Sequence, residues 1–122
     1  METKRILYAD DDTASRKILE RQMRQRGLRC DLAADGPEAL RKFRESAYDL
    51  VILDRYMPGM DGDEVARAIL KLKPSVPLIA VTTDTSGEET LLQAGFRTVL
   101  AKPLRGVSHL ELIESYLSTG EK

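Results

Sequence analysis

The sequence predicts a doubly wound α/β domain built on a parallel sheet. Short apolar runs alternate with amphipathic helical patterns five times along the 122 residues, which is typical of βα units joined by right-handed crossovers. Two of these runs, 50–53 and 78–81, are apolar throughout. That pattern indicates strands that are buried on both faces, as in a parallel sheet covered by helices. We therefore expect a single domain over 1–122, with five strands flanked by five helices.

Local signals set the expected bounds of each element. The predicted strands span 5–10, 28–33, 49–54, 77–82 and 97–101, and the predicted helices span 13–26, 37–46, 62–72, 87–94 and 108–118. In the first helix, Asp12 suits the N-cap position and Gly27 suits the C′ position. The expected buried stripe of this helix contains Ala14, Ile18, Leu19 and Met23. Gly36 and Pro37 mark the start of the second helix, because proline fits the first helical position.

The later helices are predicted from shorter patterns. Pro74 ends the third helix, whose buried face is expected to contain Val65, Ile69 and Leu72. Two S-x-x-E segments have the spacing of capping boxes and predict the starts of the fourth and fifth helices. These segments are Ser86 with Glu89, and Ser108 with Glu111. The fourth helix has room for barely two turns, so it is the weakest of the predicted elements.

Composition narrows the class of protein. Hydrophobic residues make up 42% and charged residues 32% of the chain, and the net charge is −1, so a soluble protein without a global preference for nucleic acid or membrane is expected. No apolar stretch approaches the roughly 18 residues of a membrane span, and no segment resembles a signal peptide. Cys30 is the only cysteine, which permits a reducing compartment. These features favour the cytoplasm.

Polar and charged side chains stand at the ends of four predicted strands. They are Asp10, Asp11, Asp54, Thr82 and Lys102. Because ligands of open α/β sheets bind outside the carboxyl ends of the strands, these side chains should converge on one site. Two carboxylates about 4 Å apart repel by roughly 4 kcal/mol at an effective dielectric near 20, so the three aspartates predict a bound cation, and Mg²⁺ suits such oxygen ligands. The alternative is that Asp11, Asp12 and Asp54 only cap the helices that follow them.

The same set of residues suits phosphoryl transfer. An aspartate can act as a nucleophile and form an aspartyl-phosphate, and Asp54 is the best candidate because it ends the run expected to be the most buried strand. Thr82 would donate a hydrogen bond to one phosphoryl oxygen, and Lys102 would pair with another. Thr83 is an alternative for the hydroxyl role, and either threonine could simply be a strand former. Positioning and charge stabilisation supply most of the catalysis in such a transfer.

The motifs together resemble the receiver domain of two-component response regulators, in the single-domain chemotaxis type. The resemblance covers the chain in order and rests on Asp10-Asp11, Leu53-Asp54, Met57-Pro58-Gly59-Met60-Asp61-Gly62, Val81-Thr82 and Lys102-Pro103. The D-x-x-M-P-x-M-D-G segment is the specific part of this match, since an acidic pair or a Lys-Pro alone is common. The chain would be either a stand-alone receiver or one excised from a longer regulator.

The resemblance implies a flavodoxin-like sheet in the order 2-1-3-4-5. It also implies phosphorylation of Asp54 by a histidine kinase or a histidine phosphotransfer protein, with Mg²⁺ required, and no catalysis beyond the protein's own phosphorylation and dephosphorylation. The metal ligands it implies are Asp10, Asp11, Asp54 and the backbone carbonyl of Tyr56. It further implies a cis peptide bond between Lys102 and Pro103, and a protein target downstream.

Three positions depart from the receiver pattern. Val99 stands where many receivers have an aromatic ring that rotates inward, so this half of the familiar switch is not expected here, because valine has no ring and is stiff at χ1. Tyr56 is larger than the residue often found two positions after the phosphoacceptor and could shield an acyl phosphate from water. The stretch between the fourth strand and the fourth helix is about two residues short, so we expect Thr82 and the 83–96 segment to carry the activation.

Other interpretations also fit parts of the sequence. A haloacid-dehalogenase-like Mg²⁺-dependent phosphohydrolase uses a similar residue set, and a degenerate receiver could work by binding alone. The basic residues of the first helix indicate either a solvated face or a docking surface for an acidic partner. Nucleic-acid binding is the weakest of these interpretations, because no aromatic residues interleave with the charges. His109 is expected to be exposed and without a metal role.

Overall fold

A five-stranded parallel sheet forms the centre of the molecule. The computed structural model describes residues 3–104 and 106–119, without the side chains of 118 and 119. The strands are β1 (Arg5–Ala9), β2 (Arg29–Ala33), β3 (Leu50–Asp54), β4 (Leu78–Thr82) and β5 (Thr98–Ala101). The helices are α1 (Thr13–Gln25), α2 (Gly36–Glu45), α3 (Gly62–Leu72), α4 (Glu88–Gln93) and α5 (Ser108–Thr119).

The strand order is β2-β1-β3-β4-β5, and every pairing is parallel. This confirms the predicted fold class and sheet order. β3 and β4 are buried over their full lengths, as their continuous apolar runs predict. β3 lies at the centre, and its last residue, Asp54, is in register with Val81 of β4. The carboxyl ends of β1, β3 and β4 therefore meet at one edge of the sheet.

Two apolar layers pack on opposite faces of the sheet. One joins alternate strand residues such as Leu7 and Val51 to α2, α3 and Leu91 of α4. The other joins the intervening residues, such as Tyr8 and Ile52, to α1 and α5. Because side chains alternate along a strand, each strand contributes to both layers.

Three expected core residues lie at the surface instead. Ile18 is 52% exposed and Leu72 is 51% exposed. In α1 the buried residues are Leu19 and Met23, and Ile18 lies about 100° round the helix from Leu19. Ala14 is also exposed, so the buried stripe of α1 is narrower than predicted. Leu72 is the last residue of α3, one turn past the buried Ile69.

Some predictions about where the helices start are confirmed, and others are wrong. The Asp12 side chain caps α1 by accepting a hydrogen bond from the Ser15 N–H, as predicted, and Gly27 has the expected positive φ of 77°. The Ser86–Glu89 capping box is wrong, because α4 begins after Gly87 without a side-chain cap. The Ser108–Glu111 box is also wrong, since Ser108 is already helical.

Two helix caps and one buried residue were not predicted. Asp35 caps α2, and a capping box joins Asp61 and Glu64 at the start of α3. His109, expected to be exposed, is only 4% exposed. It lies on the α5 face that packs against α1, where its Nε2 is 3.0 Å from Oε1 of Gln22. In the described part of the chain, no helix is long and apolar enough to span a membrane.

Candidate functional site

Three carboxylates meet at the carboxyl edge of the sheet. Asp10 follows β1 directly, Asp11 is next in the chain, and Asp54 is the last residue of β3. One carboxylate oxygen from each lies within 4.8 Å of the others. Asp10 and Asp54 are buried and Asp11 is exposed, so the cluster has one open side.

Asp10 is held by four donors, three at its carboxylate and one at its backbone carbonyl. Its Oδ1 accepts a hydrogen bond from the Asp12 N–H at 2.9 Å. Its Oδ2 accepts one from the Tyr8 hydroxyl at 2.5 Å and is 2.7 Å from Nζ of Lys102. Arg16 Nη1 donates to the Asp10 carbonyl oxygen at 2.6 Å. The orientation of the Asp10 carboxylate is therefore fixed.

Lys102 connects the two buried aspartates. Its Nζ is 3.4 Å from Oδ2 of Asp54 in addition to its closer contact with Asp10. Burial lowers the pKa of Lys102, but the hydrogen bonds and negative charges of the two carboxylates outweigh it and raise the pKa above the ordinary lysine value. Lys102 therefore stays charged. The Lys102–Pro103 peptide bond is cis, as predicted.

Asp54 is in an unusual electrostatic environment. Burial, followed by the negative charge of Asp10, raises its pKa to about 7, although Lys102 acts in the opposite direction. The site thus carries more negative charge than its single ammonium can balance. A divalent cation would remove this imbalance, because an added positive charge favours the ionised form of a carboxylate.

The oxygen donors fit a hard divalent cation. Mg²⁺ prefers oxygen ligands, binds through one or two carboxylates and retains several waters. The exposed side of the cluster at Asp11 gives such waters room, and Asp54 lies on the buried side. The donor set and its excess charge therefore fit a hard divalent cation such as Mg²⁺, which this cluster could hold.

Thr82 turns its hydroxyl toward the following segment. It is fully buried, and its Oγ1 donates to the Asp84 carbonyl oxygen at 3.2 Å and accepts from the Asp84 N–H at 3.1 Å. Thr83, the alternative hydroxyl, is exposed. In this structure Thr82 is therefore bonded to the β4–α4 segment.

Arg55, directly after Asp54, reaches the same segment. Its Nη1 donates to the Ser86 carbonyl oxygen at 2.7 Å and lies 3.4 Å from that of Asp84. Its guanidinium carbon is 5.1 Å from the centre of the Tyr56 ring. The Tyr56 side chain is 55% exposed, so the ring lies at the rim of the site beside this arginine.

Gly62 allows α3 to begin against the end of β3. A Cβ atom at this position would lie 2.5 Å from the Asp54 carbonyl oxygen and 3.2 Å from the Arg55 Cα. The Gly62 N–H donates to the Arg55 carbonyl oxygen at 2.8 Å. The close approach of the backbone therefore explains why the M-P-x-M-D-G segment ends in glycine.

The charged residues of the site were predicted from the sequence, but the residues that hold the site and its neighbouring segment in place were not. Tyr8, Arg16 and Arg55 were not predicted to belong to the site. Tyr8 had one usable signal: it stands two residues before Asp10, and alternation along a strand places both on the same face. The contacts of Arg16 and Arg55 depend on the paths of the chain around them, for which the sequence contains no comparable signal.

Comparisons with known proteins agree with this geometry. Residues 6–114 match the response regulator receiver domain family. A CheY-like receiver domain protein from Methanospirillum hungatei superposes with a TM-score of 0.93 at 32% identity, over 98% of both chains. The response regulator TrrA from Thermotoga maritima, solved in complex with Mg²⁺ and BeF, superposes with a TM-score of 0.85 at 35% identity, over 94% of this chain and 99% of that chain.

Longer relatives contain a similar segment. The sensor protein EvgS from Escherichia coli is 36% identical over 115 residues, which is 93% of this chain and 9% of EvgS. The transcriptional regulatory protein ZraR from Klebsiella oxytoca is 39% identical over 101 residues, which is 81% of this chain and 23% of ZraR. The haloacid-dehalogenase alternative finds no support in these comparisons. The chain belongs to the response regulator receiver domain family, the phosphorylation-switched signalling modules of two-component systems.

Proposed function

We propose that this chain is a receiver that accepts a phosphoryl group on Asp54 and thereby changes its binding to a partner protein. The observation that supports this role is the Asp54 carboxylate, which shares one cluster with Asp10 and Asp11 and lies 3.4 Å from the ammonium of Lys102. With a divalent cation bound at the acidic cluster, Asp54 would meet a phosphoryl group whose oxygens are balanced by the charges of that cation and of Lys102. The single domain over 1–122 is part of the same proposal.

The transfer itself needs little covalent machinery. An oxygen of Asp54 attacks the phosphorus of a phosphohistidine, so that a P–O bond forms while the P–N bond breaks. The electron pair of the broken bond stays on the imidazole nitrogen, which takes up a proton. Lys102, 3.4 Å from Oδ2 of Asp54, is placed to pair with a phosphoryl oxygen.

A Mg²⁺ ion would be held by Asp10, Asp11, Asp54 and the backbone carbonyl of Tyr56. When bound, it would neutralise charge on the transferred group. Asp10 and Lys102 keep their mutual contact in the resting site. Because Lys102 also contacts Asp54, this pair restrains the position in which Asp54 presents its oxygen. The chain in this proposal catalyses only its own phosphorylation and dephosphorylation.

The response to phosphorylation is assigned to Thr82 and the 83–96 segment. The new phosphoryl group adds about −1.5 to −2 charges. The Thr82 hydroxyl can donate to it only by releasing the Asp84 carbonyl oxygen. Val99 supplies no ring to move, so the segment itself must adjust. Residues 83–90 are all exposed, which is typical of a region where local opening is easy.

The phosphoryl donor is proposed to be a histidine kinase or a histidine phosphotransfer protein. Receiver domains are phosphorylated by histidine kinases, and the relatives of this chain include a sensor protein and a transcriptional regulator. The output is proposed to be a protein contact, without nucleic acid or membrane binding by this chain. A cytoplasmic location fits such partners.

Intact mass spectrometry after incubation with Mg²⁺ and acetyl phosphate tests the proposal. The wild-type chain should gain a single phosphoryl group of about 80 Da, and peptide mapping should place it on Asp54. Asp54→Asn should gain none, because the amide is not a nucleophile and keeps the shape of the side chain. Wild-type levels of label in Asp54→Asn would contradict the assignment, as would continuous release of phosphate over many turnovers without accumulation of a phosphorylated chain.

A further inference from the structure

Tyr8 combines a buried ring with one polar contact. It is 1% exposed and its ring lies in the apolar layer between the sheet, α1 and α5. Its hydroxyl donates to Oδ2 of Asp10 at 2.5 Å. A tyrosine turns about only two side-chain bonds, so close packing of its ring also fixes its hydroxyl. This donor is therefore a rigid part of the site.

The hydroxyl determines how Asp10 is oriented. Oδ2 of Asp10 receives both the Tyr8 hydroxyl and Lys102, and Oδ1 is held by the Asp12 N–H. Without the hydroxyl, Lys102 alone would hold Oδ2. The ammonium could then move toward Asp10 and away from Asp54, because no second donor shares that oxygen.

We propose that Tyr8 is a positioning residue for the cation site, acting through Asp10. Its hydroxyl keeps the Asp10 carboxylate in one orientation and is a second donor to Oδ2 beside Lys102. Lys102 therefore stays between Asp10 and Asp54. The inference rests on the proposed function, because it assumes a divalent cation at the acidic cluster. Groups that orient metal ligands typically contribute about 10–100-fold to metal affinity. Removal of this hydroxyl should therefore weaken Mg²⁺ binding about tenfold.

The chain offers a matched control. Tyr48 is also buried, and its hydroxyl donates to Oδ2 of Asp31 at 2.7 Å. Asp31 is not part of the acidic cluster found in the described residues. Tyr8→Phe and Tyr48→Phe therefore each remove one hydroxyl that donates to a carboxylate, and only the first lies beside the proposed cation.

The test is an isothermal titration of each protein with MgCl₂ at pH 7, with stability followed separately by urea unfolding in EDTA. We expect Tyr8→Phe to bind Mg²⁺ about tenfold more weakly and Tyr48→Phe to bind it like the wild type. Both variants should lose stability by similar amounts. Tyr8→Leu, which also lacks the hydroxyl, should show the same loss of affinity and serves if the phenylalanine variant does not fold.

The outcomes separate the inference from the proposed function. Wild-type Mg²⁺ affinity in Tyr8→Phe would overturn the role of Tyr8 alone. Equal losses of affinity in Tyr8→Phe and Tyr48→Phe would also overturn it, because the effect would then follow general loosening. A wild-type chain that binds no Mg²⁺ would overturn the cation site of the proposed function, and the role of Tyr8 with it.

Discussion

The two sides of the candidate site are built in different ways. On the side of β1 and β3, Asp10 and Asp54 are buried, and Asp10 is held by Tyr8, Lys102 and a backbone N–H. On the side of β4, the buried Thr82 is followed by a run of exposed residues over 83–90. The contrast predicts a division of labour: the β1 and β3 side, here called the fixed side, holds the charges in place, and the β4 side, here called the mobile side, moves on phosphorylation.

The mobile side has few apolar anchors. In α4 only Leu91 is buried, while Leu92 is 43% exposed. The helix has six residues and no side-chain cap. The segment that precedes α4 also contacts the fixed side through Arg55, which donates to the Ser86 carbonyl oxygen. Local opening should therefore require little free energy here and much more around Asp10.

The largest effect should come from the carboxylates of the fixed side. Asp11→Asn should weaken Mg²⁺ binding on the order of 100-fold, because Asp11 is exposed and free to meet the ion directly. Asp10→Asn should weaken it less, since Asp10 already satisfies several donors and acts partly through water. Calorimetric titration of both variants measures the two losses. Equal or reversed losses would contradict this division of roles.

The next effect concerns the pH dependence of stability without divalent cations. The pKa of Asp54 is raised from 3.8 to about 7, so the folded state binds more protons than the unfolded state between these values. The stability contributed by protonated Asp54 is fully present below the unfolded value and is lost as the pH rises through 7. Asparagine does not titrate.

We therefore expect the stability advantage of Asp54→Asn over the wild type to grow from pH 4 to pH 7, by at most about 1.4 kcal/mol per pH unit. Urea unfolding of both proteins in EDTA across this range measures it. A constant difference would show that Asp54 has an ordinary pKa. Saturating Mg²⁺ is the control and should shrink the difference, because the ion binds the ionised wild-type site.

A smaller effect is expected at the mobile side. Beryllofluoride, which mimics the aspartyl-phosphate, should change hydrogen exchange over 83–96 in the wild type and give that segment more order. Thr82→Val should reduce this change severalfold, because a net hydrogen bond of about 1 kcal/mol is lost. Exchange that is unaltered over 83–96 in the wild type, with changes elsewhere, would rule out this route of activation.

The smallest effect should come from Arg55. Arg55→Gln removes the contact with the Ser86 carbonyl oxygen and should speed hydrogen exchange over 84–90 roughly fivefold in the resting protein. Mg²⁺ affinity should change little, since the arginine does not contact the carboxylates in the described contacts. Arg21→Gln, on the exposed face of α1, is the control and should leave exchange in 84–90 unchanged. Similar hydrogen-exchange rates over 84–90 in the wild type, Arg55→Gln and Arg21→Gln would show that Arg55 does not restrain this segment.

Local sequence patterns predicted most of the fold because strands and helix caps are determined by residues that are close together in the sequence. The apolar runs of β3 and β4 and the cap at Asp12 need only neighbouring residues to be recognised. The capping box at Ser86 failed for the opposite reason. Its spacing fits a cap, but Ser86 instead donates its hydroxyl to Asp84 at 2.5 Å, in a segment whose path depends on β4 and Arg55.

The sequence by itself determined the parallel α/β class, the strand-end positions of the charged residues and, through its motifs, the receiver family. Only the tertiary structure decided that Tyr8 and Lys102 share one oxygen of Asp10, that Thr82 bonds to Asp84, and that His109 is buried. For the contacts of Lys102 and His109 the physical reason is distance along the chain, whereas Thr82 and Asp84 are neighbours in sequence whose contact depends on the path of the segment that joins them. Contacts such as Lys102 with Asp10 join residues far apart in sequence, and their geometry depends on how whole layers pack, which periodicity and spacing do not encode.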